Sequence, residues 1–150
     1  MAKYCPLKDG SALYPECLEC QEKLCKETIT RVIIAGSRHY TNYDTVLHAM
    51  TELVGDIPKS HLEIVSGHAS GVDYLGEMFA RRNHIRLKIF PADWNKYGKK
   101  AGPLRNREMA EYASRCKGIL LLIWNGTSRG SASMKREALA RNLTIKEVFI

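Results

Sequence analysis

With 150 residues, 45% of them hydrophobic, the chain has room for one domain with a true core and at most a small appendage. No stretch nears the ~20 apolar residues of a membrane span, and Met1 to Cys5 lacks the apolar run of a signal peptide, so a cytoplasmic protein with no membrane partner is expected. The net charge of +7 is concentrated, with nine Lys or Arg residues from Arg81 to Arg107 against the single carboxylate of Asp93. A field of that sign draws a phosphorylated metabolite or a nucleic-acid backbone, although a solvated basic face has the same signature.

Residues 1–28 are poor in aliphatic side chains and hold four of the five cysteines, Cys5, Cys17, Cys20 and Cys25. A segment this small needs a staple. Disulfides are disfavoured in the cytosol, so the C-x-x-C pair Cys17 and Cys20, with Cys5 and Cys25, is read as one structural zinc site with no position open for water. Free thiols and an iron–sulfur cluster are the alternatives. No redox cofactor is expected.

From residue 29 onward strands and helices alternate. Arg31–Gly36 is a β-branched apolar run ending in glycine, a buried strand. Asn42 is placed to cap a helix over Tyr43–Val54, with Val46, Met50, Leu53 and Val54 on one face. Leu62–Ser66 reads as a strand, Gly71–Arg82 as a helix and Leu87–Phe90 as a strand. After a long loop come a helix over Pro103–Arg115, a strongly apolar strand over Gly118–Trp124, a helix over Ser131–Arg141 and a last strand over Ile145–Ile150. The pattern predicts an α/β, Rossmann-like doubly wound domain over residues 29–150, its mostly parallel sheet covered on both faces. Ligands of such sheets lie outside the carboxyl ends of the strands, so the connecting loops should converge on one crevice.

Those loops are rich in anion-holding chemistry. Gly36, Ser37 and Arg38 offer a backbone without Cβ, a hydroxyl and a guanidinium. Ser66, Gly67, His68, Gly71 and Asp73 lie where a strand hands over to a helix, and free N–H groups at a helix start favour negative charge. Gly126, Thr127, Ser128, Arg129, Gly130 and Ser131 repeat that arrangement with more donors. In the long loop Asp93 precedes Trp94, which is able to stack on a base or simply to pack the loop down. Arg105 and Asn106 project from the first turn of the helix that follows Pro103.

Taken together, Gly36-Ser37-Arg38, Ser66-Gly67-x-x-x-Gly71-x-Asp73, Phe90-Pro91-Ala92-Asp93-Trp94, Gly98-Lys99-x-Ala101-Gly102-Pro103-x-Arg105-Asn106 and Gly130 resemble the YspA (cpYpsA-related) branch of the SLOG superfamily, over roughly residues 31–142. That superfamily also includes the LOG phosphoribohydrolases and DprA. The resemblance implies a Rossmann-like, homodimeric nucleotide-binding protein of bacteria or their phages. It also implies what LOG enzymes use to cleave an N-glycosidic bond: an arginine, matched by Arg105, and a glutamate soon after the last phosphate turn. Here that stretch reads Ser131-Ala132-Ser133-Met134, without a carboxylate. Glu137 lies one turn beyond Ser133.

The leading expectation is therefore a sensor or sequestering protein for a nucleotide or nucleotide-derived molecule, ADP-ribose-like or a signalling nucleotide. A nucleotide N-glycosidase-type hydrolase is the first alternative, with Arg105, Asp73 and Glu137 as candidate catalytic groups. Nucleic-acid binding is the second.

Overall fold

The computed structural model describes residues 28–150 and, before them, two short strands, β1 (Lys3–Cys5) and β2 (Ser11–Leu13), paired antiparallel. The expected zinc ligands, the side chain of Cys5 and all of Cys17, Cys20 and Cys25, lie outside the described residues.

The remaining elements are β3 (Thr30–Gly36), α1 (Tyr43–Val54), β4 (Leu62–Ser66), α2 (Val72–Arg82), β5 (Arg86–Ile89), α3 (Trp94–Tyr97), α4 (Ala101–Ser114), β6 (Lys117–Trp124), α5 (Arg129–Ala140) and β7 (Thr144–Phe149). Five of them form a wholly parallel sheet in the order β5-β4-β3-β6-β7. The doubly wound arrangement follows from which side chains need cover. Val32 and Ile34 of β3 and Ile119, Leu121 and Ile123 of β6 pack under α1 and α2 with Val46, Met50, Val72 and Phe79. Their alternates Ile33, Ala35, Leu120, Leu122 and Trp124 pack under α4 and α5 with Met109, Ala113, Met134 and Ala138. A strand apolar at every position has no face to give to water, so both faces of β3 and β6 carry helices.

Apart from shifts of one residue, three boundaries differ from the sequence reading. The loop after β5 contains α3, because the Asp93 carboxylate accepts from the backbone N–H of Lys96 and starts a helical turn. The helix expected from Pro103 begins two residues earlier, at Ala101, which leaves Pro103 still in the first turn, where its missing N–H costs nothing. The last helix starts at Arg129, with Ser128 rather than a later residue at its cap. Asn125 Oδ1 accepts from the N–H groups of Thr127 (2.9 Å) and Ser128 (3.2 Å) and closes the turn early.

At the amino ends of the strands Arg31 Nε donates to Glu63 Oε1 (2.8 Å), and the Arg31 guanidinium lies over the Tyr112 ring. Tyr112 donates its hydroxyl to the same carboxylate; burial, then that bond, push it up to about 12. This cluster ties β3 and β4 to α4 at the end remote from the crevice. Among the described residues, no helix is long and apolar enough to cross a membrane.

Candidate functional site

The strand order reverses between β3 and β6, where the chain winds outward in opposite directions, and a crevice of about 290 Å³ opens outside their carboxyl ends. Ala35 and Gly36 of β3 form part of its lining, with the apolar side chains of Met109 and Met134. Gly36 pairs with Ile123 of β6, and Ser37 N–H donates to the Ile123 carbonyl (2.9 Å).

One wall is the start of α5. Ser128, Arg129, Gly130 and Ser131 all border the crevice. Ser128 makes no side-chain cap, and the first intrahelical bond is Ala132 N–H to the Ser128 carbonyl (3.0 Å). The N–H groups of the first turn therefore open onto the crevice with the positive end of the helix dipole. A side chain at Gly130 would meet nothing within 4 Å, so the backbone there is accessible to a ligand.

The opposite wall is the second turn of α4. Arg105 Nη1 donates to the Gly67 carbonyl, and its Nε donates to Asn106 Oδ1 (3.0 Å). Asn106 is buried and its amide donates to Ser133 Oγ (3.2 Å) and the Gly130 carbonyl (3.4 Å). Asn106 thus locks α4 to α5 and orients Arg105. Two of the guanidinium's five N–H donors are engaged in these bonds, which leaves others for an anion. Burial pulls Arg105 below the usual arginine range, and Arg38 adds to that, while Asp73 opposes it.

The third wall departs from a simple phosphate loop. Gly71 has φ +74, and a Cβ there would lie 2.1 Å from the Ser37 carbonyl oxygen. That oxygen accepts from Val72 N–H (3.0 Å), and Ser70 Oγ donates to the Arg38 carbonyl (3.0 Å). Ala69 N–H donates to Asp73 Oδ2 (3.3 Å) and His68 N–H to Ser66 Oγ (3.1 Å). Val72 N–H and Ser70 Oγ tie the second loop to the first, and the other two amides fold the second loop on itself instead of greeting a ligand, so here the glycines serve close backbone packing.

Asp73 is buried beside the crevice, and burial raises it to about 6 against the pull of Arg105. Its folded pKa exceeds its unfolded one, so the folded state binds the proton more tightly. With respect to this group, stability is greatest below pH 3.8, falls as pH rises through about 6, and is level above that. Asp73→Asn is expected to flatten this dependence: its stability relative to the parent should rise by about 2 kcal/mol between pH 4 and pH 8 in urea unfolding. Parallel curves for the two proteins would contradict the raised value.

Beside the crevice, and sharing Arg38 and Arg105 with it, is a second hollow of about 240 Å³ lined also by Gly67, His68 and Trp94. Trp94 is half exposed; its ring rests against Gly102 of α4, with the Arg38 guanidinium 5.9 Å over it.

The structure therefore gathers Gly36, Arg38, Asp73, Arg105, Asn106 and Ser128 to Ser131 at the crevice, and Gly67, His68 and Trp94 at the adjoining hollow. Six other expected residues line neither. Ser37, Ser66 and Gly71 are spent on loop packing, Asp93 on its cap, Thr127 on the Asn125 turn, and Gly126 lies against Phe149. Glu137 lines neither and instead accepts from Arg141 one turn on (2.6 Å). The residue that the sequence reading passed over is Glu77, almost wholly buried, which accepts from Ser66 Oγ (2.8 Å). Its one signal was its place a turn after Asp73 on the inward face of α2.

A family model described as the YspA, cpYpsA-related SLOG family matches residues 30–97, from β3 through α3. The "Gene 61 protein" of Mycobacterium phage D29 is 34% identical over 113 residues, 72% of this chain and 87% of that protein. Among solved structures, DNA processing protein A (DprA) from Streptococcus pneumoniae shares the fold, with a TM-score of 0.57 at 22% identity over 79% of this chain. The chain spans 50% of that structure's length.

Proposed function

Because the chain belongs to the YspA, cpYpsA-related SLOG family, we propose that its crevice binds a nucleotide or nucleotide-derived small molecule by a phosphate, and that the protein senses or sequesters that molecule. The observation that carries this reading is the uncapped start of α5, opening onto the crevice opposite Arg105. N–H donors and a partly buried guanidinium converging on one volume suit a tetrahedral anion. The turn after Gly130 holds Ser133, bonded to Asn106, and buried Met134 where a hydrolase would present a carboxylate. Binding is thus better supported than glycosidic cleavage. A homodimer belongs to the same reading, and native mass spectrometry counts it.

A second reading, single-stranded nucleic acid, is favoured by the exposed rings of Trp94 and Tyr97 among Lys96, Lys99 and Lys100, and by the fold shared with a DNA-processing protein. Calorimetry with AMP, ADP-ribose and a 12-mer oligonucleotide, at low and high salt, separates them. The first reading expects AMP or ADP-ribose to bind with a shallow salt dependence, and the second expects oligonucleotide binding that collapses with salt. No heat with any mononucleotide would sink the first.

A further inference from the structure

His68 has left-handed backbone torsions, φ +60, rare for a residue with a side chain and concentrated at functional sites. What holds it there is built underneath. Glu77 is 2% exposed, and His68 Nδ1 lies 3.0 Å from its Oε2. Ser66, fully buried, donates its hydroxyl to the same oxygen and accepts from the His68 backbone N–H. Arg81 Nη2, 3.3 Å from Oε1, completes the carboxylate's surroundings. A carboxylate at Nδ1 selects the tautomer that carries its proton there and leaves the Nε2 lone pair free. The imidazole itself is 57% exposed and borders the second hollow.

The two hollows have Arg38 and Arg105 in common. A ligand filling both must carry its connecting group past Arg38 and Arg105, and the connecting group that gains most there is an anionic phosphodiester or pyrophosphate. We propose that His68 is a general base, with Glu77 its positioning residue, and that it acts on such a bridging phosphate. This rests on the nucleotide reading above and adds chemistry to it. His68 Nε2 takes a proton from water as the water oxygen bonds to phosphorus. The bond from phosphorus to the leaving oxygen breaks, its electron pair departs with that oxygen, and Arg38 and Arg105 balance the charge that accumulates. His68 then returns its proton to the leaving group or to solvent.

The test uses the full chain in buffer containing EDTA, with thymidine 5′-(4-nitrophenyl phosphate) as probe, followed by release of 4-nitrophenolate, and with calorimetric binding of the product dTMP measured alongside. His68→Asn, which tolerates the left-handed backbone, is expected to lower turnover at least about 100-fold while dTMP still binds. Glu77→Gln is expected to lower kcat about tenfold while KM for the probe and dTMP affinity stay within about twofold, the split expected of a residue that orients the base and touches no ligand. The charges around His68 are Glu77, Asp73 and Arg81 from α2, Arg38 from the first loop and Arg105 from α4, and only Glu77 is altered. dTMP binding without turnover, or turnover that survives His68→Asn, overturns the dyad and leaves the binding site standing. Failure of dTMP to bind, without turnover, overturns both.

Discussion

Arg105→Ala is expected to weaken binding of AMP about 100-fold, the loss typical of removing a charged partner from a desolvated pair. Arg105, like Arg38, borders both the crevice and the second hollow, and it lies opposite the α5 amino terminus. The same substitution removes the largest influence holding Asp73 down against burial. Ionised Asp73 then costs more in the folded state, whereas protonated Asp73 costs nothing extra. The variant should therefore lose stability relative to the parent at pH 8 and little at pH 4, the sign set by a folded pKa moved further up. Arg105→Lys restores the charge without the fork, so stability at pH 8 should recover better than affinity does. Calorimetry and urea unfolding at the two pH values read both effects. A folded Arg105→Ala protein that binds AMP within threefold of the parent would place the phosphate elsewhere.

That prediction depends on contacts that were unequally legible in the sequence. The sheet and helices were readable because each rests on a local pattern. Helix α1 begins at Tyr43 because Asn42 Oδ1 accepts from Asp44 N–H, and β6 reads as central because six successive residues are buried. Arg105 and the last turn were readable because a helix start names its own orphan donors. The second loop misled for a long-range reason. Its glycines look the same whether they make way for a phosphate or for the Ser37 carbonyl, and only the fold brings that carbonyl to Val72. Glu77 was hidden similarly. A glutamate in a helix normally faces water, and nothing local announces that Ser66 and His68, eleven and nine residues away, will meet it in the interior. Asn106 read as a ligand contact because it sits beside Arg105, yet its amide is occupied with α5.

Two glycines of the crevice lead to opposite outcomes, and the contrast tests the architecture itself. Gly36→Ala is expected to cost at least about 4 kcal/mol, the range reserved for core damage, and to lower Tm by about 10 °C or more. A Cβ at Gly36 would stand 1.8 Å from the Ile123 carbonyl oxygen and 2.7 Å from its carbon. Both are backbone atoms of the neighbouring central strand, so no rotamer relieves the contact. Relief requires β3 to separate from β6 where they carry the crevice floor, breaking the bond from Ser37 N–H to Ile123. Binding should fail with the fold. Gly130→Ala has nothing within 4 Å of its added carbon and sits within α5, so stability should hold or rise by up to about 1 kcal/mol. Its methyl instead meets whatever approaches the first turn, so affinity for AMP should fall while Tm does not. If Gly130→Ala binds AMP as tightly as the parent, the ligand does not approach that turn closely, and the α5 amino terminus loses its place in the site. If Gly36→Ala unfolds no more readily than the parent, the junction of β3 with β6 is looser than its packing requires.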